Sequence, residues 1–170
     1  MAAAFDDDPM TRWLVPDGRS LAPLFRAHIR TTDPASQSID LALADGVPVG
    51  AAIWQAPGYH VALWRQLAAI PVYAHALGRH LGRGATIESV MHRARPHEEF
   101  WYLAGVGAVR RGEGIGSALL RHRLDQVQGA AYLESSKQEN IPLYERFGFE
   151  QRTPIRVPDG PELWPMWRKG

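Results

Sequence analysis

The sequence contains no cysteine, which removes disulfides, thiolate metal ligands and a cysteine nucleophile from the chemistry open to it. It also lacks a charge excess. Its 19 Lys and Arg residues stand against 18 Asp and Glu residues, a formal net charge of +1, so the basic face of a nucleic-acid binder is not expected. Met1-Ala-Ala-Ala-Phe-Asp-Asp-Asp8 has neither the basic end nor the long apolar run of a signal peptide or membrane anchor. A soluble, cytoplasmic protein with no membrane partner is therefore expected. The seven histidines show no ligand spacing, and no metal is predicted. Repeats, low-complexity tracts and linkers are missing as well, so residues 1–170 are read as a single domain, long enough to bury a core.

What the chain does have is Val106-Gly-Ala-Val-Arg-Arg-Gly-Glu-Gly-Ile-Gly-Ser-Ala-Leu-Leu120, an apolar run that breaks into basic and glycine residues before a helical pattern begins. Gly112, Gly114 and Gly116 let successive backbone N–H groups turn toward one point, where the new helix adds its unpaired amides and the positive end of its dipole. Arg110 and Arg111 add charge there. A phosphate-bearing ligand is expected at this cradle. The spacing is G-x-G-x-G and not the G-x-G-x-x-G of dinucleotide folds, and too little chain follows for a doubly wound sheet, so a dinucleotide oxidoreductase is disfavoured although Glu134 lies at a suitable distance for a ribose. The P-loop is excluded because no Gly-Lys-Ser/Thr follows.

In chain order, Asp6 to Asp17 reads as a short capped helical turn, with Pro9 in its first turn. Arg19 to Ile29 has helical spacing, ended by Thr31-Thr-Asp-Pro. Ser38 to Asp45 and Val49 to Trp54 form a hairpin across Asp45-Gly46. Tyr59 to Ala94 reads as two or three helices, interrupted at Pro71 and at Gly82-Arg-Gly84. Phe100 to Val109 is a strand buried on both faces, with a bulge or a close backbone approach at Gly105 and Gly107. After the cradle come a helix from Ile115 through Val127, a strand at Ala131–Glu134, a helix capped by Asn140 that runs through Phe147, and strands at Phe149–Thr153 and Leu163–Arg168. An α/β domain with a mixed sheet accounts for this order.

Arg111-Gly-Glu-Gly-Ile-Gly-Ser resembles the acetyl-CoA pyrophosphate loop of the GNAT superfamily of N-acetyltransferases, and Tyr144-Glu-Arg-Phe-Gly-Phe149 resembles that superfamily's Tyr-x-x-x-Gly-Phe segment. Trp101-Tyr-Leu, Tyr132-Leu-Glu-Ser, Asn140-Ile-Pro-Leu-Tyr and Val157-Pro-Asp-Gly-Pro-Glu-Leu-Trp are similar to the puromycin N-acetyltransferase group within it. The resemblance implies a GNAT-like α/β (α+β) fold with a mixed, mostly antiparallel sheet flanked by helices. It also implies transfer of an acetyl group from acetyl-CoA to a primary amine of a small, antibiotic-like or metabolite molecule, by a monomer or homodimer. The alternative is an acyl-CoA-binding regulatory module without turnover.

On this resemblance the pyrophosphate falls to Arg111, Gly112, Gly114, Gly116 and Ser117, and the pantetheine arm to backbone among Val106, Gly107, Ala108 and Val109. Relatives have a two-residue longer link there, with a proline. They often carry asparagine where this chain has Lys137, which leaves Lys137 and Asn140 as candidates to reach the cofactor. Tyr144 is the implied proton donor to the coenzyme A sulfur. A carboxylate or imidazole must deprotonate the ammonium; Glu134 is the first choice, with His97, Glu98, Glu99 and His28 as alternatives. Trp54, Tyr59 and Trp64 are candidates to face an apolar acceptor.

Overall fold

The computed structural model describes residues 1–16, 18–58 and 63–170, apart from the side chains of Leu63 and Gln66. Seven strands form one sheet in the order β1-β2-β3-β4-β7-β5, with β6 pairing β7 off this path. β1 (Gln37–Ala44) and β2 (Val47–Gln55) make the expected hairpin. Asp45 and Gly46 both take positive φ, 51° and 77°, as a two-residue turn between twisted strands requires. β2 pairs antiparallel with β3 (Trp101–Ala108), β4 (Ala131–Ser135) pairs antiparallel with β7 (Glu162–Arg168), and only β3 and β4 run parallel. The sheet is therefore mixed and mostly antiparallel, flanked by helices, as expected. The strand expected at Phe149–Thr153 is shortened to β5 (Glu150–Gln151), and after a break at Thr153-Pro154 a second short strand that was not expected, β6 (Ile155–Arg156), also pairs with β7.

α5 (Ile115–Leu124) packs its Leu119, Leu120 and Leu124 on one face of the sheet, against Ala52, Leu103, Leu133 and Met166. Burying each such leucine is worth roughly 1.5–3 kcal/mol. The helix comes this close because Gly50 has no side chain: a Cβ there would stand 2.5 Å from Ile115 Cγ2. Arg123 on α5 donates from Nε to Asp40 Oδ2 at 2.9 Å and makes a second, parallel bond, tying the helix to β1. α6 (Ile141–Glu145) lies on the same cluster through Ile141 and Tyr144. It stops at Glu145, two residues short of Phe147, and the Asn140 side chain makes no capping bond.

The other face carries α1 (Pro9–Leu14), capped by Asp8, whose Oδ1 accepts from the Thr11 amide at 2.8 Å. A 3₁₀ turn at Ala2–Phe5 precedes it and lies on β3. α2 (Ala22–Thr31) packs on α3 (Leu63–Leu77), and α4 (Leu81–Ala94) sets Ile87 against Ile155, Val157 and Leu163. The expected interruptions at Pro71 and Gly82–Gly84 do not occur. Both lie inside helices, and the break falls at Gly78, which takes φ 56°. Gly84 is used for packing: a Cβ there would stand 2.8 Å from Leu77 Cδ1. Among the described residues no helix is long and apolar enough to cross a membrane.

Candidate active site

β3 and β4 are paired only at Trp101–Ala131 and Tyr102–Tyr132, yet both strands continue past that point. Between them a cleft of about 1080 Å³ opens, just above the roughly 300–1,000 Å³ common for ligand sites. Its lining includes Val106, Gly107, Ala108, Arg111, Gly112, Gly114, Gly116, Ser117, Glu134, Asn140 and Tyr144. Of the first-choice catalytic and cofactor-binding candidates, all but Val109 are thus on one surface.

The β3 main chain resolves which of its groups face this cleft. The Val109 amide donates to Val49 O at 2.9 Å, so Val109, and by alternation Gly107 and Gly105, turn their polar groups to β2. Val106 and Ala108 therefore turn theirs into the cleft, where no strand takes them up. A bulge sets this phase: Gly105 pairs Ile53 and Leu103 pairs Trp54, leaving Ala104 as the extra residue. It lies one residue before the Gly105–Gly107 stretch where it was expected. The two glycines serve contacts of their side-chain face instead. A Cβ on Gly107 would stand 2.8 Å from both Ala4 Cβ and Phe5 Cε2, so the Ala2–Phe5 turn can lie flat on the strand. β3 is accordingly half-buried and not sealed on both faces.

At one end of the cleft the loop after β3 enters α5 directly. Gly112 and Gly114 take φ 80° and 74°, with open space where a Cβ would be, and Gly114 is the N-cap of α5. Such a cradle of amides at a ten-residue helix suits phosphate oxygens. Arg111 and Lys137 both reach Asp7, Lys137 at 2.8 Å, and their bonds hold its carboxyl well below the usual carboxylate range. The two cations thus stand at the cleft wall, sharing one carboxylate.

Glu134 projects from β4 with its side chain 2 % exposed. Neither of its oxygens meets hydrogen-bond geometry; Arg95 Nε stands 3.7 Å away, and the Tyr102 and Tyr132 hydroxyls also act on the carboxyl. Burial pushes its carboxyl up to about 7, with Arg95 and the two tyrosines opposing the rise. Tyr144 is buried on α6, and burial, reinforced by the Asp8 carboxylate, pushes its phenol well above the ordinary range, so the hydroxyl keeps its proton at neutral pH. Asp8 is itself buried at the cleft, capping α1 and accepting from Ser136 Oγ.

The alternatives to Glu134 lie elsewhere. His28 is half-buried on α2 with its Nε2 enclosed, away from the cleft lining, and desolvation lowers its imidazole. His97, Glu98 and Glu99 are exposed before β3 and do not line the cleft. Trp54 is fully buried in the core and Trp64 is exposed on α3; neither lines the cleft, and Tyr59 lies outside the described residues. No spacing in the sequence shows that Arg95, Tyr102 and Asp8 gather around the candidate acid and base. Only the Asp-Pro capping pair at positions 8 and 9 was a local signal.

The acetyltransferase (GNAT) domain family matches residues 39–151, two thirds of the chain, from β1 through β5. The crystal structure of histone acetyltransferase HPA2 and related acetyltransferase from Corynebacterium glutamicum is 28% identical, with a TM-score of 0.73 over 99% of this chain and 86% of that one. The polyamine N-acetyltransferase of Drosophila melanogaster, which catalyses formation of N-acetylagmatine, is 13% identical, with a TM-score of 0.55 over 100% and 97% of the two chains. Arylalkylamine N-acetyltransferase 2 from Aedes aegypti gives 13% and 0.58 over 97% and 88%. These last two share the fold. With a family match that spans the splayed strands, the glycine loop before α5 and the Tyr144 helix, the chain belongs to the GNAT acetyltransferase family.

Proposed function

We propose that this protein transfers an acetyl group from acetyl-CoA directly to the primary amine of a small molecule. The observation that carries this reading is the cleft between β3 and β4, which joins unpaired strand backbone, a phosphate cradle, a protonated phenol and a buried carboxylate on one surface. These residues fit acetyl-CoA. Val106 and Ala108 would hold the pantetheine arm by backbone pairing, and Gly112, Gly114, Gly116 and Ser117 with Arg111 would hold the pyrophosphate. Lys137 and Asn140 both line the cleft and remain available to the same ligand. The thioester supplies the activated acetyl carbon.

The chain's own residues then supply the two proton movements. As the amine nitrogen adds to the thioester carbon and the C–S bond breaks, Glu134 accepts the ammonium proton and the Tyr144 hydroxyl gives its proton to the leaving sulfur. A carboxylate that titrates near neutrality is matched to the first task, and a phenol kept protonated to the second. A cleft-facing amide on β3 is suited to the carbonyl oxygen as it gains negative charge. The similarity to the puromycin N-acetyltransferase group supports an antibiotic-like or metabolite amine, and the amine-acetylating neighbours support the amine class. One acceptor per turnover and no covalent enzyme intermediate are required.

Calorimetry and a thiol-release assay with a panel of amines test the reading. Acetyl-CoA should bind, coenzyme A thiol should appear only with an amine present, and Tyr144→Phe should lose turnover by about 10²–10⁴-fold while keeping cofactor affinity. Absence of coenzyme A affinity overturns the reading. Affinity without amine-dependent thiol release points to the non-catalytic acyl-CoA-binding module instead.

A further inference from the structure

We propose that Arg95 is a positioning residue for Glu134, held between that carboxylate and Glu88 so that Glu134 is not locked in a two-bond pair and is free to take a proton. This rests on Glu134 being the base. Arg95 follows α4 and does not line the cleft, so it meets Glu134 away from the ligand surface. Its Nε stands 3.7 Å from Glu134 Oε1 and its Nη1 3.6 Å from Glu88 Oε1. The guanidinium carbon lies 4.5 Å from the centre of the Tyr102 ring, which stacks on Tyr132 at 6.3 Å. Three partners thus share one cation, and none receives a full hydrogen bond from its Nε.

The consequence is electrostatic. Alone in this enclosed spot, Glu134 would be pushed so far up that it would stay protonated and accept nothing; in a tight two-bond pair it would be pulled down and held ionised, too weak a base. Arg95 at this distance gives the intermediate case. Other groups facing Glu134 are Tyr102 from β3, Tyr132 from β4 and Glu88 from α4, with Arg152 acting on Tyr132. Glu88 opposes Arg95: its charge draws the guanidinium toward solvent, where the Glu88 side chain is 69 % exposed. Removing either partner therefore moves Glu134 in opposite directions, a pattern that lost packing would not give.

The test is the titration of the Glu134 side-chain carboxyl carbon by ¹³C NMR in the ligand-free protein, followed by the pH profile of kcat/KM. Arg95→Gln should move the Glu134 midpoint alkaline by about one to three pH units, and Glu88→Gln should move it acid by a few tenths. Arg95→Lys should restore it toward wild type. The acid limb of kcat/KM should follow the same order. Unchanged midpoints in Arg95→Gln and Glu88→Gln, or shifts of the same sign, overturn the role of Arg95. Opposite NMR shifts in a protein that acetylates no amine would uphold Arg95 as the partner tuning Glu134 and instead overturn the acetyl-transfer reading. Should Arg95→Gln fail to fold, Arg95→Met, which keeps the length of the side chain without its charge, takes its place and should give the same alkaline shift.

Discussion

Among the described residues two buried carboxylates, Asp40 and Glu134, meet an arginine, and they are built differently. Asp40 on β1 receives two parallel bonds from Arg123, the Nε bond at 2.9 Å, and lies between sheet and α5 far from the cleft lining. Glu134 on β4 receives no hydrogen bond, faces Arg95 at 3.7 Å and lines the cleft. A buried charge that is fully paired costs little more to keep and fixes the register of the elements it joins. One left under-satisfied costs stability, and its placement at a cleft makes it a candidate for chemistry. On the proposed function, the same pair of residue types serves as scaffold at one site and as reactive group at the other.

The comparison breaks most sharply at Glu134. Glu134→Gln should lower turnover by about 10²–10⁴-fold. Its stability effect has the opposite sense. The folded carboxyl is raised to about 7, so the stability it permits is complete below the usual carboxylate range and is lost as pH rises through about 7. Thermal or denaturant unfolding of Glu134→Gln should thus show a gain over wild type of up to about 3 kcal/mol above pH 7, and no gain below about pH 4.

Asp40→Asn is the mirror image. It leaves Arg123, 15 % exposed, without its charged partner and should cost about 3–5 kcal/mol in denaturant unfolding while turnover per folded molecule stays at the wild-type level. Equal losses of activity in the two variants would collapse the distinction.

A third carboxylate sharpens it at the small end. Asp7 is about half exposed and shared by Arg111 and Lys137 at the cleft wall. Asp7→Asn should leave folding nearly unchanged and, by freeing both cations for phosphate, lower the KM for acetyl-CoA by up to about fivefold, an effect that fades with added salt.

The parts of this design written in local chemistry were legible in the sequence. Gly112 and Gly114 adopt positive φ before α5, Asp45-Gly46 turns the hairpin, and Asp8-Pro9 opens α1, because each needs only its own neighbours. The candidate acid and base line the cleft through motif-bearing segments, Tyr132-Leu-Glu and Tyr144 to Phe149. What was not legible depends on register and on distant packing. The bulge falls on Ala104 because β2 fixes it, Gly105 and Gly107 serve the Ala2–Phe5 turn, and Gly78 breaks the helical region where Pro71 and Gly84 do not. Arg95 is 39 residues from Glu134 in the chain, and no spacing rule joins them; only the packing of α4 against the sheet brings the guanidinium there.

The pH dependence of kcat/KM for acetyl transfer, compared between wild type and Glu134→Gln, tests the central claim most directly. The account predicts a wild-type profile that rises through about pH 7 as Glu134 ionises, and loss of that limb in the variant at uniformly low activity. The same limb persisting in Glu134→Gln with wild-type activity would contradict it.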